Sequence, residues 1–215
     1  MIESLKRLML RLLTLSIFFL SMPVLAEEVL QTTAASLVAR YPEHKTGVII
    51  LVDISRQQIL LFENGKETDR YSISTSSYGI GSKSGSNKTP LGAHFVRKKI
   101  GAEAAPGTIF KARKNTGKIA QTEYKPRATG DDFVTSRILW LSGLERGINK
   151  AGNVDSFKRY IYIHGTHEEG LIGQPASHGC VRMKNEDVIE LFDHTPESSL
   201  VLISEDLTAR GLLTK

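Results

Sequence analysis

The chain is nearly without cysteine: Cys180 stands alone among 215 residues. A single thiol cannot close a disulfide within the chain, so no stapled framework supports this fold. No apolar run reaches the roughly 20 residues that a membrane span needs. The longest, Leu12 to Leu20, is broken by Thr14 and Ser16. There is no His-Glu-x-x-His run and no second cysteine, which removes the usual zinc patterns. No internal repeat and no second domain are visible. Excess charge is small too. The net charge of +5 falls to +3 once Lys6, Arg7, Arg11 and Glu3 are set aside with the first segment, too little to suggest nucleic acid as a partner.

That first segment, 1–26, reads as a secretory signal. Lys6, Arg7 and Arg11 form a basic region, an apolar stretch follows, and Val24-Leu25-Ala26 sets small or β-branched residues at the cleavage positions. No cysteine follows it, so no lipid anchor is expected, and no membrane anchor should remain after cleavage. Exported proteins usually hold cysteines in pairs. A lone thiol in an oxidising compartment reads either as inert and buried or as reactive, and its neighbours must decide.

The rest of the chain is patterned mainly as strands. Leu30, Ala34, Leu37, Val38 and Tyr41 recur at helical spacing, and Pro42 ends the run, so 27–46 is an N-terminal helical segment. Val48–Val52 and Gln58–Phe62 are short runs rich in β-branched or aromatic residues. Asn64-Gly65 is a hairpin turn because both positions tolerate positive φ. Tyr71–Thr75 returns, and Ser76–Pro90 is a loop. Strands are expected at Leu91–Val96, Val134–Leu141, Tyr160–His164 and Ser199–Ser204. Asn185 reads as the N-cap of a helix whose apolar face is Val188, Leu191 and Phe192. The stretch 97–132 shows little periodicity. Within it, 97–127 carries nine basic residues against Glu103 and Glu123. It reads as a solvated loop or as an electrostatic hand for anionic polymer. The fold class expected is mostly β, a sandwich or mixed β domain over 47–205 with a few short α-helices, then a tail at 206–215.

Chemistry concentrates in Ile161-Tyr162-Ile163-His164-Gly165 and Ser177-His178-Gly179-Cys180-Val181-Arg182. A thiol nucleophile needs a base or cation beside it and donors aimed at an oxyanion. Glycine before the cysteine lets backbone N–H groups approach a carbonyl. His164 ends an apolar strand, a rigid seat for a base, and the 15 residues between it and Cys180 can fold back. Zinc ligation by His164, His167, Glu168, His178 and Cys180 is a weaker reading. A papain-like arrangement places the nucleophile before the histidine, and here only His194 follows Cys180. A non-catalytic wall-binding module would not need the intact Cys–His–Gly set. Asp131-Asp132 reads as a loop charge pair, since adjacent strand side chains diverge.

These motifs resemble the L,D-transpeptidases with a YkuD-type catalytic domain: His164-Gly165, then Ser177-His178-Gly179-Cys180-Val181-Arg182. The opening hairpin, Thr75-Ser76 and Thr89-Pro90-Leu91-Gly92 extend the resemblance over roughly 48–204. The basic stretch after Val96 is longer than in simple members. The resemblance implies peptidoglycan stem peptides as substrate, with no cofactor and no metal. Cys180 would attack the L-centre carbonyl of the third stem residue, typically diaminopimelate. D-Ala would leave and a thioester form, resolved by an amine of another stem, by a wall-anchored protein or by water. It implies His164 as general acid and base, the Gly165 carbonyl as its orienting group, and the Gly179 and Cys180 N–H groups as oxyanion donors. Ser177, His178 and Arg182 would line the substrate pocket, with a structural ion pair as the other role open to Arg182. The periplasm or cell wall is the compartment implied.

Overall fold

The computed structural model describes residues 27–208. The signal reading of 1–26 and most of the 206–215 tail lie outside that range. Helix α1 (27–40) is followed by β1 (Val48–Asp53), β2 (Gln58–Glu63), β3 (Lys66–Ser74), β4 (Gly92–Ile100), β5 (Thr108–Lys111), β6 (Lys114–Ile119) and β7 (Val134–Gly143). Then come β8 (Tyr162–Gly165), β9 (Val181–Met183), α2 (Asn185–His194) and β10 (Leu200–Ser204), with three single-turn 3-10 helices among the connections. The protein is mostly β, as its patterning implies.

One sheet joins all ten strands in the order β4-β10-β1-β2-β3-β9-β8-β7-β5-β6, and β4 also pairs with β7. That extra pairing closes eight strands into a ring, which leaves them no free edge. The β5–β6 hairpin hangs outside the ring, joined to it through β7. Asn64 and Gly65 make the β2–β3 turn at φ 51° and 82°, between the paired residues Glu63 and Lys66. Both positions are left-handed, as the hairpin signal requires.

Strand alternation divides the side chains into an inner and an outer set. Inside lie Ile50 and Val52 of β1, Ile59 and Leu61 of β2, Leu139 and Leu141 of β7, Ile163 of β8, and Val181 and Met183 of β9. Helix α2 sends Val188, Leu191 and Phe192 into this same cluster. Outside, Ile49, Leu51, Leu60, Phe62, Leu200 and Leu202 pack under Leu30, Ala34 and Leu37 of α1. Strands β1, β2 and β10 are therefore buried on both faces, which is why they read as unbroken apolar runs rather than as alternation.

Three expectations need correction. The N-cap of α2 is Lys184, not Asn185. Asn185 turns inward instead: its amide donates to Thr166 O and Glu169 Oε1 and its carbonyl accepts from Thr135 and Ser136. The stretch 97–127 is not simply a solvated loop, because β4 runs on to Ile100 and β5 and β6 follow. All six residues of β6 are exposed, so no alternation marked it. Strand β9 was missed because it has only three residues, all buried.

Candidate active site

Strands β8 and β9 pair in parallel, Ile163 opposite Val181 and His164 opposite Arg182. Ile163, Val181 and Met183 enter the inner core. Alternation turns Tyr162, His164, Cys180 and Arg182 to the other face. There Tyr162 and Cys180 meet Phe110, Ile138 and Trp140. Cys180 immediately precedes β9, and its sulfur meets the Tyr162 N–H, two residues before His164 on β8. A short parallel pair thus sets the Cys180 turn against the strand that carries His164.

The imidazole is held firmly. His164 is 2% exposed, and its Nδ1 lies 2.7 Å from Gly165 O. A carbonyl only accepts, so Nδ1 carries the proton and Nε2 keeps a lone pair. Burial pushes the pKa below the ordinary 6.5, against the Asp132 charge and the Gly165 carbonyl, which pull it up. The ring is neutral at pH 7, the state a base needs. Cys180 is half-buried, so its sulfur stays reachable. Its Sγ lies 3.4 Å from Tyr160 O. Burial pushes the thiol up to about 12, although a hydrogen bond from the Tyr162 N–H pulls the other way. The resting pair is therefore neutral thiol with neutral imidazole, unlike the thiolate–imidazolium pairs of low-pKa cysteines.

The turn before Cys180 is stitched from within. Ser177 is fully buried; its hydroxyl donates to Cys180 O at 2.6 Å and accepts the Gly179 N–H at 3.2 Å. Gly179 has φ 121°, a region closed to residues with a side chain. A Cβ there would also stand 3.3 Å from Lys88 O. The Thr89 hydroxyl donates to Gly179 O and accepts the Ser76 N–H, both at 3.1 Å. Two expectations change. The Gly179 N–H already has a partner in Ser177, so it is a brace of the turn rather than a free oxyanion donor. Ser177 is internal scaffolding and lines no substrate surface.

Arg182 is also corrected. It is wholly buried, and its Nη1 donates to Glu168 Oε2 at 2.8 Å and Asp132 Oδ1 at 3.2 Å. Both partners belong to the protein, so the ion-pair reading holds and the substrate-carboxylate reading falls. The contact runs through one nitrogen rather than the planar fork expected of a bidentate pair. Asp132 also accepts from His178 Nδ1 at 2.8 Å. Burial alone would raise the Asp132 carboxyl, but His164, His178 and Arg182 together hold it below the usual range. His178 remains 54% exposed beside Tyr78, at the rim where a substrate could touch it.

The model of the YkuD family, described as the L,D-transpeptidase catalytic domain, matches residues 47–203. The chain belongs to this family. Among curated relatives, the Putative L,D-transpeptidase YqjB of Bacillus subtilis is 46% identical over 48 residues, 22% of this chain and 27% of that protein. The Probable L,D-transpeptidase YbiS of Escherichia coli K12 is 46% identical over 43 residues, 20% of this chain and 14% of that one. The matched stretch spans about a quarter or less of these relatives' length. Among solved structures, Bd1075 of Bdellovibrio bacteriovorus has TM-score 0.48 and 17% identity, covering 76% of this chain and 50% of that one. L,D-transpeptidase 3 of Mycobacterium tuberculosis, in complex with a faropenem-derived adduct, has TM-score 0.46 and 14% identity, covering 74% and 60%.

Within this L,D-transpeptidase domain, the side chains considered as zinc ligands have other partners. His167 Nε2 pairs with Thr129, Glu168 with Thr129 and Arg182, and His178 with Asp132. Asp132 is more than a loop charge, because it links His178 to Arg182. Nothing in its spacing announced this, since it reaches the site from a separate loop. The role of Thr89 was half visible in Thr-Pro-x-Gly. A Thr89→Val variant keeps the shape but leaves the Ser76 N–H and Gly179 O without their partner. We expect a stability loss of about 1–3 kcal/mol and lower transpeptidase activity, read by urea denaturation and by kcat/KM.

Proposed function

We propose that this protein is an exported peptidoglycan L,D-transpeptidase that uses Cys180 as nucleophile and His164 as base. The observation that carries the reading is the shared face of β8 and β9, with the His164 tautomer fixed by Gly165 O. Attack begins as the Cys180 proton passes to His164 Nε2 and sulfur bonds to the L-centre carbonyl of the third stem residue. The Cys180 N–H, next to the sulfur, is the donor suited to the oxyanion once Gly179 is committed to Ser177. Collapse breaks the C–N bond, and His164 returns its proton to the departing D-Ala amine. An acceptor amine then attacks the thioester, gives its proton to His164 and releases Cys180 as thiol. The basic and then apolar pattern of 1–26 supports export to the periplasm, where the stems are.

Intact-mass measurement with a synthetic tetrapeptide stem tests this. A covalent adduct equal to the stem less D-Ala, absent in Cys180→Ala, is expected. Muropeptide profiles of a deletion strain read the acceptor. Lost 3-3 crosslinks point to a stem amine, lost wall-bound protein to protein attachment, and lost tripeptides to water.

The neutral resting pair gives a pH prediction. His164 must be unprotonated to accept, and its pKa lies below 6.5. The acylation rate should fall on the acid side through a midpoint below 6.5, and stay level from there through neutral pH because the thiol ionises only near 12. Absorbance at 240 nm should show no thiolate at pH 7. His164→Ala should slow acylation about 10²- to 10⁴-fold and remove the acid limb from the rate profile.

A further inference from the structure

The β5–β6 hairpin turns through Ala112 and Arg113, between the paired residues Lys111 and Lys114. Both have positive φ, 47° and 67°. Such turns favour Asn-Gly, and side-chain-bearing residues there cost about 1–2 kcal/mol each. The strain sets one side chain in a particular place. The Arg113 guanidinium lies 4.8 Å from the ring centres of both Trp140 and Tyr160. Its Nη1 donates to the Tyr162 hydroxyl at 3.2 Å. Tyr162 and Tyr160 are the residues whose backbone N–H and C=O flank the Cys180 sulfur. Arg113 is half-buried, yet it forms no salt bridge among the described residues. Arg182 and Arg56, by contrast, each face two carboxylates. An arginine has five donors, and among the described residues the Arg113 guanidinium meets only the Tyr162 and Tyr160 side chains as polar partners, neither of them a carboxylate.

We propose that Arg113 is a specificity-determining residue that binds a carboxylate of the acyl-donor peptide. The proposal rests on the transpeptidase reading above. The guanidinium stands about one tyrosine side chain away from the sulfur, because it bonds the far end of Tyr162. The carboxylate it reads must therefore lie several bonds from the scissile carbonyl. The carboxylate of the departing residue is too near the broken bond. The free carboxylate at the far end of a diamino-diacid side chain, as in diaminopimelate, has the reach. Trp140 and Tyr160, whose ring centres stand 5.8 Å apart, both pack against the guanidinium from one side, which leaves its other side for a planar anion.

The test compares two synthetic tetrapeptide donors that differ at one group, the free side-chain carboxylate or its carboxamide, by kcat/KM for acylation of Cys180. The wild-type protein should prefer the carboxylate about 10- to 100-fold, the worth of a charge-assisted hydrogen bond. Arg113→Gln should bring that ratio close to one. Arg113→Gly should do the same while suiting the turn better, so its Tm should match or exceed the parent's, which separates recognition from folding. An undiminished preference in both variants would overturn the proposal, as would equal use of both donors by the wild type. Failure of both donors to acylate the wild type would bring down the transpeptidase reading itself, and this proposal with it.

Discussion

A Cys180→Ala protein is expected to fold as the parent does and to form no acyl-enzyme at all. The fold should survive because the sulfur contributes little to the core. The residue is half-buried at the edge of the Trp140–Tyr162 cluster, and the Ser177 hydroxyl braces the turn through the Gly179 N–H and the Cys180 carbonyl, which the substitution leaves in place. Activity should vanish because this is the only cysteine in the chain, and the neighbouring Ser177 is buried with its hydroxyl donated to a carbonyl. Circular dichroism and Tm should be unchanged to within a few degrees, while intact mass shows no adduct. Cys180→Ser is the sharper comparison. A hydroxyl is far harder to deprotonate than a thiol, and His164 sits in a site arranged for neutral reactants, so Cys180→Ser should be as inactive as Cys180→Ala. An adduct of unchanged mass on Cys180→Ala would place the nucleophile elsewhere.

Arg182→Met is expected to be the most damaging single change for stability, at about 3–5 kcal/mol. The guanidinium is fully buried, and the Glu168 side chain beside it is 4% exposed. Removing the cation leaves that carboxylate buried without its partner, and Asp132 loses one of its two side-chain partners. Coupling provides the check. In a Glu168→Gln background the orphaned charge is gone, so Arg182→Met should cost clearly less there than in the parent. Equal costs in the two backgrounds, by urea denaturation, would show that the ion pair is not what holds this region. Because Asp132 also binds His178, the same variant should loosen the rim beside Cys180 and reduce kcat.

What could be read in the sequence, and what could not, follows from the range of each interaction. The hairpin of β2 and β3 was legible because Asn64-Gly65 is a local signal. The apolar face of α2 was legible for the same reason. Helix α1 covers the outer face of β1, β2 and β10, so its residue spacing was informative. The motifs around Cys180 and His164 were legible because each carries a glycine beside the chemical residue. The pairing of β8 with β9 that relates the two motifs rests on a three-residue strand that no periodicity marks. The role of Arg182 could not be decided from its neighbours, since its partners come from residues 132 and 168. Gly179 misled for a related reason. A glycine before a nucleophile suggests an open N–H, yet only the folded turn shows Ser177 taking it. The hairpin at 108–119 was hidden because exposed β6 has no buried face to alternate.

The pairing of β1 with β10 has a consequence for how the protein is assembled. Ile49 lies opposite Leu200 and Asp53 opposite Ser204, a separation of most of the described chain. Loop-closure entropy for such contacts must be overcome before they return any stabilisation. Until β10 arrives, β1 and β4 each lack a neighbour, and the inner cluster lacks Val201 and Ile203. The ring therefore closes late, and folding should be slow for the protein's size. A chain still short of residue 200 presents two open strand edges, the state most exposed to aggregation.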